Sequence, residues 1–182
     1  MPVAVSAWFD ESTESSIRAM WKRLADAGFS RELHDGPYRP HITLALYERI
    51  DRAAFVPATR QQLSTWRPFP VVFAGLGVFL NDAPTVYLSV TPSDRLHQLH
   101  REVHELLRGR AQGPAPHCLQ DSWNPHATLA FALPGATFLE AMDLLRATAL
   151  PFEGIVDRVG VIETPVEVEL ETLWLQEAGV KA

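Results

Sequence analysis

The chain has 182 residues, 47% of them hydrophobic and 21% charged, and carries a formal net charge of −6. That length suits one domain, or two small lobes on a shared core, and the composition is that of a globule rather than a disordered chain. The acidic balance argues against long duplex nucleic acid, which needs a broad basic face, but leaves room for an RNA end or short nucleotide in a local pocket.

VAVSAWF (3–9) reads as a strand, and MPVAVSAWFDES around it has no basic leader followed by an apolar stretch of signal-peptide length. No run approaches the roughly 18 apolar residues of a membrane span, so a cytoplasmic protein with no membrane partner is expected. A helix follows over Ser12–Ala27, with Ile17, Met20, Trp21 and Leu24 on one stripe and Gly28 as its stop. The segment around His41 is a strand. Residues 51–66 read as a helix that Pro57 kinks or shortens. Phe69–Leu80 and Thr85–Val90 are strands joined by the turn NDAP.

Thr91-Pro92-Ser93-Asp94 opens a second long helix reaching about Arg110. A Gly/Pro-rich loop spans 109–124, then come a strand around His126, a helix through Phe138, Met142 and Leu145, and strands near 152–163 and 166–176. The order helix, strand, helix, strand, strand thus occurs twice.

Two phrases make the duplication explicit. PHITLA (40–45) returns as PHATLA (125–130), five of six letters agreeing, with His41 and His126 85 residues apart. PFPVVFAGLGVF (68–79) returns as PFEGIVDRVGVI (151–162), with Pro, Phe, Gly and Val repeating at an offset of 83. The expected fold is α+β: a single bilobal domain over 1–182, divided near residue 90. Its two lobes are related by a pseudo-twofold, each a small antiparallel sheet with outer helices, and a cleft lies between them.

On a strand, side chains alternate faces. His41, Thr43 and Ala45 then share one face and Ile42, Leu44 and Leu46 the other; His126, Thr128 and Ala130 oppose Ala127, Leu129 and Phe131. Packing alone would preserve the inward letters, yet these drift in size while the polar His and Thr stay identical. Two imidazoles and two hydroxyls around one small space suit acid–base chemistry on an oxyanion-rich group such as phosphate.

These paired His-x-Thr phrases resemble the signatures of the two-histidine (2H) phosphoesterase superfamily, including the bacterial 2′-5′ RNA ligases or RNA 2′,3′-cyclic phosphodiesterases. The resemblance spans nearly the whole chain. It implies that His41 and His126 are the acid–base pair, that Thr43 and Thr128 donate to phosphate oxygens, and that neither metal nor nucleotide cofactor is needed. The implied reaction is hydrolysis of a 2′,3′-cyclic phosphate on an RNA terminus or small nucleotide by a monomer, with the reverse 2′-5′ joining open to the same residues. Relatives often carry a basic residue just after the second motif, where this chain has Ala130-Phe131-Ala132. That departure bears on the substrate.

Tyr38 and Trp123, each three residues before a motif histidine, could stack on a base or simply cover the core edge. Arg39 could approach phosphate or be solvated. His97, His100 and His104 lie at i, i+3 and i+7 beside the buried stripe of their helix, where a half-exposed face accounts for them better than a metal. Cys118, the one cysteine, sits next to His117 without the geometry of a thiol nucleophile. A non-catalytic RNA-end or nucleotide binding module is the rival reading; intact histidines in both motifs argue against it.

Overall fold

In the computed structural model, which describes residues 1–80, 82, 84–135, 137–164 and 168–176, VAVSAWF forms β1 (Val3–Phe9), buried along its whole length. Asp10 then caps α1 (Glu11–Asp26), its carboxylate accepting from the Thr13 amide at 3.1 Å. The stripe Ile17, Met20, Trp21 and Leu24 faces the core, and Gly28 leaves the helix at φ +77°. A single turn, α2 (Glu32–Asp35), too short to show a period, precedes β2 (His41–Ile50).

α3 (Arg52–Leu63) continues through Pro57 and stops short of the expected limit. Pro57 and Ala53, whose carbonyl the missing N–H would have met, both face solvent, while Phe55, Thr59 and Leu63 hold the inner side. β3 (Phe69–Phe79) and β4 (Thr85–Val90) pair; of the turn between them, Asn81 and Ala83 lie outside the described residues. Ser93 caps α4 (Asp94–Leu107). The expected loop then contains a short strand, β5 (Ala111–Pro114), and a 3₁₀ turn at Pro116–Cys118. β6 (His126–Ala130), α5 (Thr137–Leu145), β7 (Phe152–Glu163) and β8 (Val168–Trp174) follow. Positions 166 and 167 of the last expected strand are outside the described residues. No described helix is long and apolar enough to cross a membrane.

The eight strands form one antiparallel network in the order β5-β2-β1-β7-β3-β4-β6, with β8 added to β7. The length of β7 makes this possible. Phe152–Val156 pair with β3, whereas Val156–Glu163 pair with β1, and Arg158–Glu163 also with β8. Pairing therefore crosses the midpoint of the chain: β1 and β2 join β7 and β8, while β3 and β4 join β6. The helices cross too, α1 packing against β6 and β7 and α4 against β2. The repeat orders elements along the chain; hydrogen bonding groups them differently.

Matched bulges sit in the two motif strands. Ser6 pairs with Thr43 but Val5 with Ala45, leaving Leu44 extra. Tyr87 pairs with Thr128 but Val86 with Ala130, leaving Leu129 extra. A bulge re-aims every side chain beyond it. Ala45 and Ala130, which strict alternation would set beside His and Thr, are instead buried in the main core with Ile42, Leu44, Ala127 and Leu129. Leu46 turns to the opposite face against Ala4, Trp8 and Ile162, and Phe131 is 37% exposed.

Candidate active site

β2 and β6 lie alongside each other, their Cα atoms approaching within 8 Å. Over the motif residues each strand has one sheet neighbour, because β5 meets β2 only at Tyr47–Ile50 and β6 is an edge. The two motif strands are thus neighbours, and His41 lies within electrostatic reach of His126. His41, Thr43, His126 and Thr128 are all half-buried, between the core and solvent.

The proline in each phrase has a local consequence. With φ held near −65° it directs the carbonyl of the residue before it toward the histidine ring after it. His41 Nδ1 lies 2.8 Å from the Arg39 oxygen, and His126 Nδ1 lies 2.7 Å from the Asn124 oxygen. A carbonyl only accepts, so in both rings Nδ1 carries the hydrogen and donates. When neutral, each imidazole is held in the same tautomer, which makes Nε2 its basic nitrogen.

The threonine carbonyls at the open edges also need donors. Trp123 Nε1 donates to the Thr43 oxygen at 2.8 Å, and Trp21 Nε1 donates to the Thr128 oxygen at 2.9 Å. Trp21 stands on α1 and Trp123 just before β6, so each indole braces the motif strand from the other half of the chain.

His126 titrates below the ordinary imidazole range. Desolvation is the main cause, the charges of His41 and His117 add to it, and the Asn124 carbonyl opposes it. His117, exposed on the 3₁₀ turn, is therefore a third imidazole within electrostatic reach, and nothing in its loop sequence marked it.

The family model for the 2′-5′ RNA ligase superfamily matches residues 10–166 of the chain. The chain belongs to the 2′-5′ RNA ligase superfamily. A Geobacillus kaustophilus protein named "Putative phosphoesterase" is 30% identical over 147 residues, covering 75% of this chain and 79% of that one. In fold, TT0787 of Thermus thermophilus superposes with a TM-score of 0.62 at 16% identity, over 96% of this chain and 98% of that one. Escherichia coli LigT does so at 0.60 and 14%, over 97% and 98%.

In this superfamily member the candidate binding residues have distinct surroundings. Trp123 stacks on His100, ring centroids 4.0 Å apart at 16°, besides bracing Thr43. The Tyr38 hydroxyl donates to Glu32 at 3.1 Å, and its ring leans on Phe131, at 6.4 Å between centroids. Arg39 donates from Nε to Glu14 at 2.6 Å, and its guanidinium lies 4.7 Å from the centre of the Trp8 ring. Glu14 also accepts from the buried Arg158 at 2.6 Å. Arg39 thus offers its carbonyl to His41 while its side chain is anchored.

Sequence reasoning missed Trp8 beside His41, Glu14 and Arg158 linked to Arg39, and Phe79 and Tyr87 beside His126. Phe79 and Tyr87 lie 4.9 and 5.1 Å from the His126 ring, centroid to centroid. A signal existed in the repeated glycines: a Cβ on Gly77 would lie 2.4 Å from the Tyr87 ring, and one on Gly160 2.1 Å from the Trp8 ring. Both glycines make room for an aromatic on the motif face.

The helical histidines serve packing. His100 is 1% exposed rather than half-exposed. His100 and His104 each donate from Nε2 to the Cys118 oxygen at 2.9 Å, and Nδ1 of His104 accepts from the Tyr47 hydroxyl at 3.2 Å. Among the described residues no group of three or more His, Cys, Asp or Glu is placed to hold a metal ion. Burial raises the Cys118 thiol to about 11, which leaves it protonated and unreactive.

Proposed function

We propose that the protein is a phosphodiesterase that opens 2′,3′-cyclic phosphates at RNA ends or on small nucleotides. The observation that carries this reading is the matched holding of two histidine rings through Nδ1 on neighbouring strands, each with a threonine two residues on. Desolvation favours the neutral form of His126, which suits it to the role of base. His126 Nε2 takes a proton from water as the water oxygen bonds to phosphorus. The bond from phosphorus to the ribose 3′-oxygen breaks, and His41 Nε2 protonates that oxygen, leaving a 2′-phosphate and a 3′-hydroxyl. Thr43 and Thr128 hydrogen-bond the non-bridging oxygens as charge builds in the pentavalent transition state. Run in the same direction with a 5′-hydroxyl in place of water, the same residues form a 2′-5′ linkage and release the 3′-hydroxyl.

Tyr38 and Arg39 line the approach to His41 in this reading, and Trp123 acts through the Thr43 backbone. The phosphoesterase name of the Geobacillus relative supports the reaction class. E. coli LigT, similar in fold, has been crystallised with 3′-AMP, which supports a nucleotide as ligand. The test is incubation of chelator-treated protein with 2′,3′-cyclic nucleotides and cyclic-phosphate-ended RNAs, reading the product by phosphorus NMR. Ring opening that is lost in His41→Ala and in His126→Ala supports the reading. Tight binding without turnover would replace it with that of a nucleotide-binding module.

A further inference from the structure

Trp174 is 62% exposed on β8, at the sheet edge. Its register partner on β7 is Arg158, whose guanidinium lies 4.5 Å from the centre of a Trp174 ring. Arg158 is itself 5% exposed and fixed by Glu14, Asp157 and the Phe9 carbonyl. Trp174 is thus a large ring backed by an immobile cation, on an exposed strand.

The register places it further. Trp174 pairs with Arg158, Arg158 with Trp8, and Trp8 with His41, so four residues form one row across β8, β7, β1 and β2. Direct cross-strand partners point to the same face. Trp174 therefore shares the face of His41, with Arg39 resting on Trp8 between them. Trp8 and Arg158 are buried in this row, so Trp174 is its one member with a ring open to stack on a base. Three strand spacings separate Trp174 from His41, about 14 Å in all. That is too far for the base of the nucleotide whose phosphate lies between the histidines, and suits the base of the next nucleotide along.

We propose that Trp174 is a stacking subsite for a base one nucleotide upstream of the terminal cyclic phosphate, which makes an RNA strand end, rather than a free mononucleotide, the preferred substrate. The phosphate position rests on the function proposed above. Stacking, not charge, is the contact: Glu14, Asp157 and Glu169 offset Arg39 and Arg158 locally, leaving no positive surplus for the backbone.

The experiment compares wild type, Trp174→Ala and Trp174→Phe on a 2′,3′-cyclic mononucleotide and on a short RNA ending in the same cyclic phosphate. Base–aromatic stacking sets the expected loss for Trp174→Ala on the RNA at about 10-fold in kcat/KM, carried by KM. The mononucleotide stays within about twofold of wild type, and Trp174→Phe restores most of the loss. Equal losses on both substrates, or none on the RNA, overturn the subsite. Fluorescence anisotropy of a 5′-labelled RNA ending in a 3′-phosphate supplies an arm that needs no turnover. If neither substrate is hydrolysed the phosphodiesterase reading fails, while a binding loss of about 10-fold in Trp174→Ala still supports the subsite and equal binding overturns it.

Discussion

His100 offers a sharp test of how the second half of the chain is held. Its ring is buried on α4, donates from Nε2 to the Cys118 carbonyl at 2.9 Å and carries Trp123 stacked on its face. Burial lowers its pKa from 6.5 to about 4; the neighbouring His104, His97 and Arg101 add to this, and the Cys118 carbonyl partly offsets it. The folded protein therefore keeps the ring neutral through a range in which the unfolded chain takes up a proton. The stabilisation is complete above pH 6.5 and is lost progressively as pH falls toward 4. At about 1.4 kcal/mol per pH unit, that interval corresponds to about 3 kcal/mol, a large part of a typical domain's stability. His100→Gln keeps an N–H for Cys118 and removes the titration. Urea unfolding of both proteins between pH 7 and 4 should show wild type losing about 3 kcal/mol more than the variant. His104, also lowered by burial, is present in both proteins, so the difference reports His100 together with its coupling to His104. Parallel pH dependences would refute the neutral, buried ring.

Removing either motif histidine, as His41→Ala or His126→Ala, should lower the rate by about 10²–10⁴-fold while thermal unfolding moves little. The pH dependence of kcat/KM should be bell-shaped, with its acid limb below the ordinary imidazole range because His126 is lowered; a flat profile would contradict the acid–base pair. Trp21→Phe and Trp123→Phe each delete one N–H from a motif threonine carbonyl. Each should reduce stability by about 1 kcal/mol and lower kcat more than it alters KM, as urea titration and steady-state kinetics would report. Gly160→Ala puts a Cβ into the buried Trp8 ring and should destabilise by about 1–3 kcal/mol. Gly77→Ala, facing the half-buried Tyr87, should cost less by the same denaturation assay.

Much of the site was legible because its signals are local. The strand period put His41 with Thr43 and His126 with Thr128; the carbonyl two residues back that holds each ring was visible only in the structure. The duplicated order of helices and strands followed from period and punctuation alone. Strict alternation failed at Ala45, Leu46 and Ala130, where a bulge after each threonine shifted the register. A bulge is a relation between two strands, and one strand's letters do not reveal it.

By itself the sequence determined the repeated units, the paired His-x-Thr phrases and the apolar stripes of α1 and α4, since each depends on residues within a few positions of one another. Tertiary structure alone decided that β7 serves two groups of strands, that Trp21 and Trp123 grip each other's motif strands, that His100 is core and that Trp174 stands in line with His41. Those contacts join residues separated by much of the chain, and their partners are selected by which faces and open edges meet on folding.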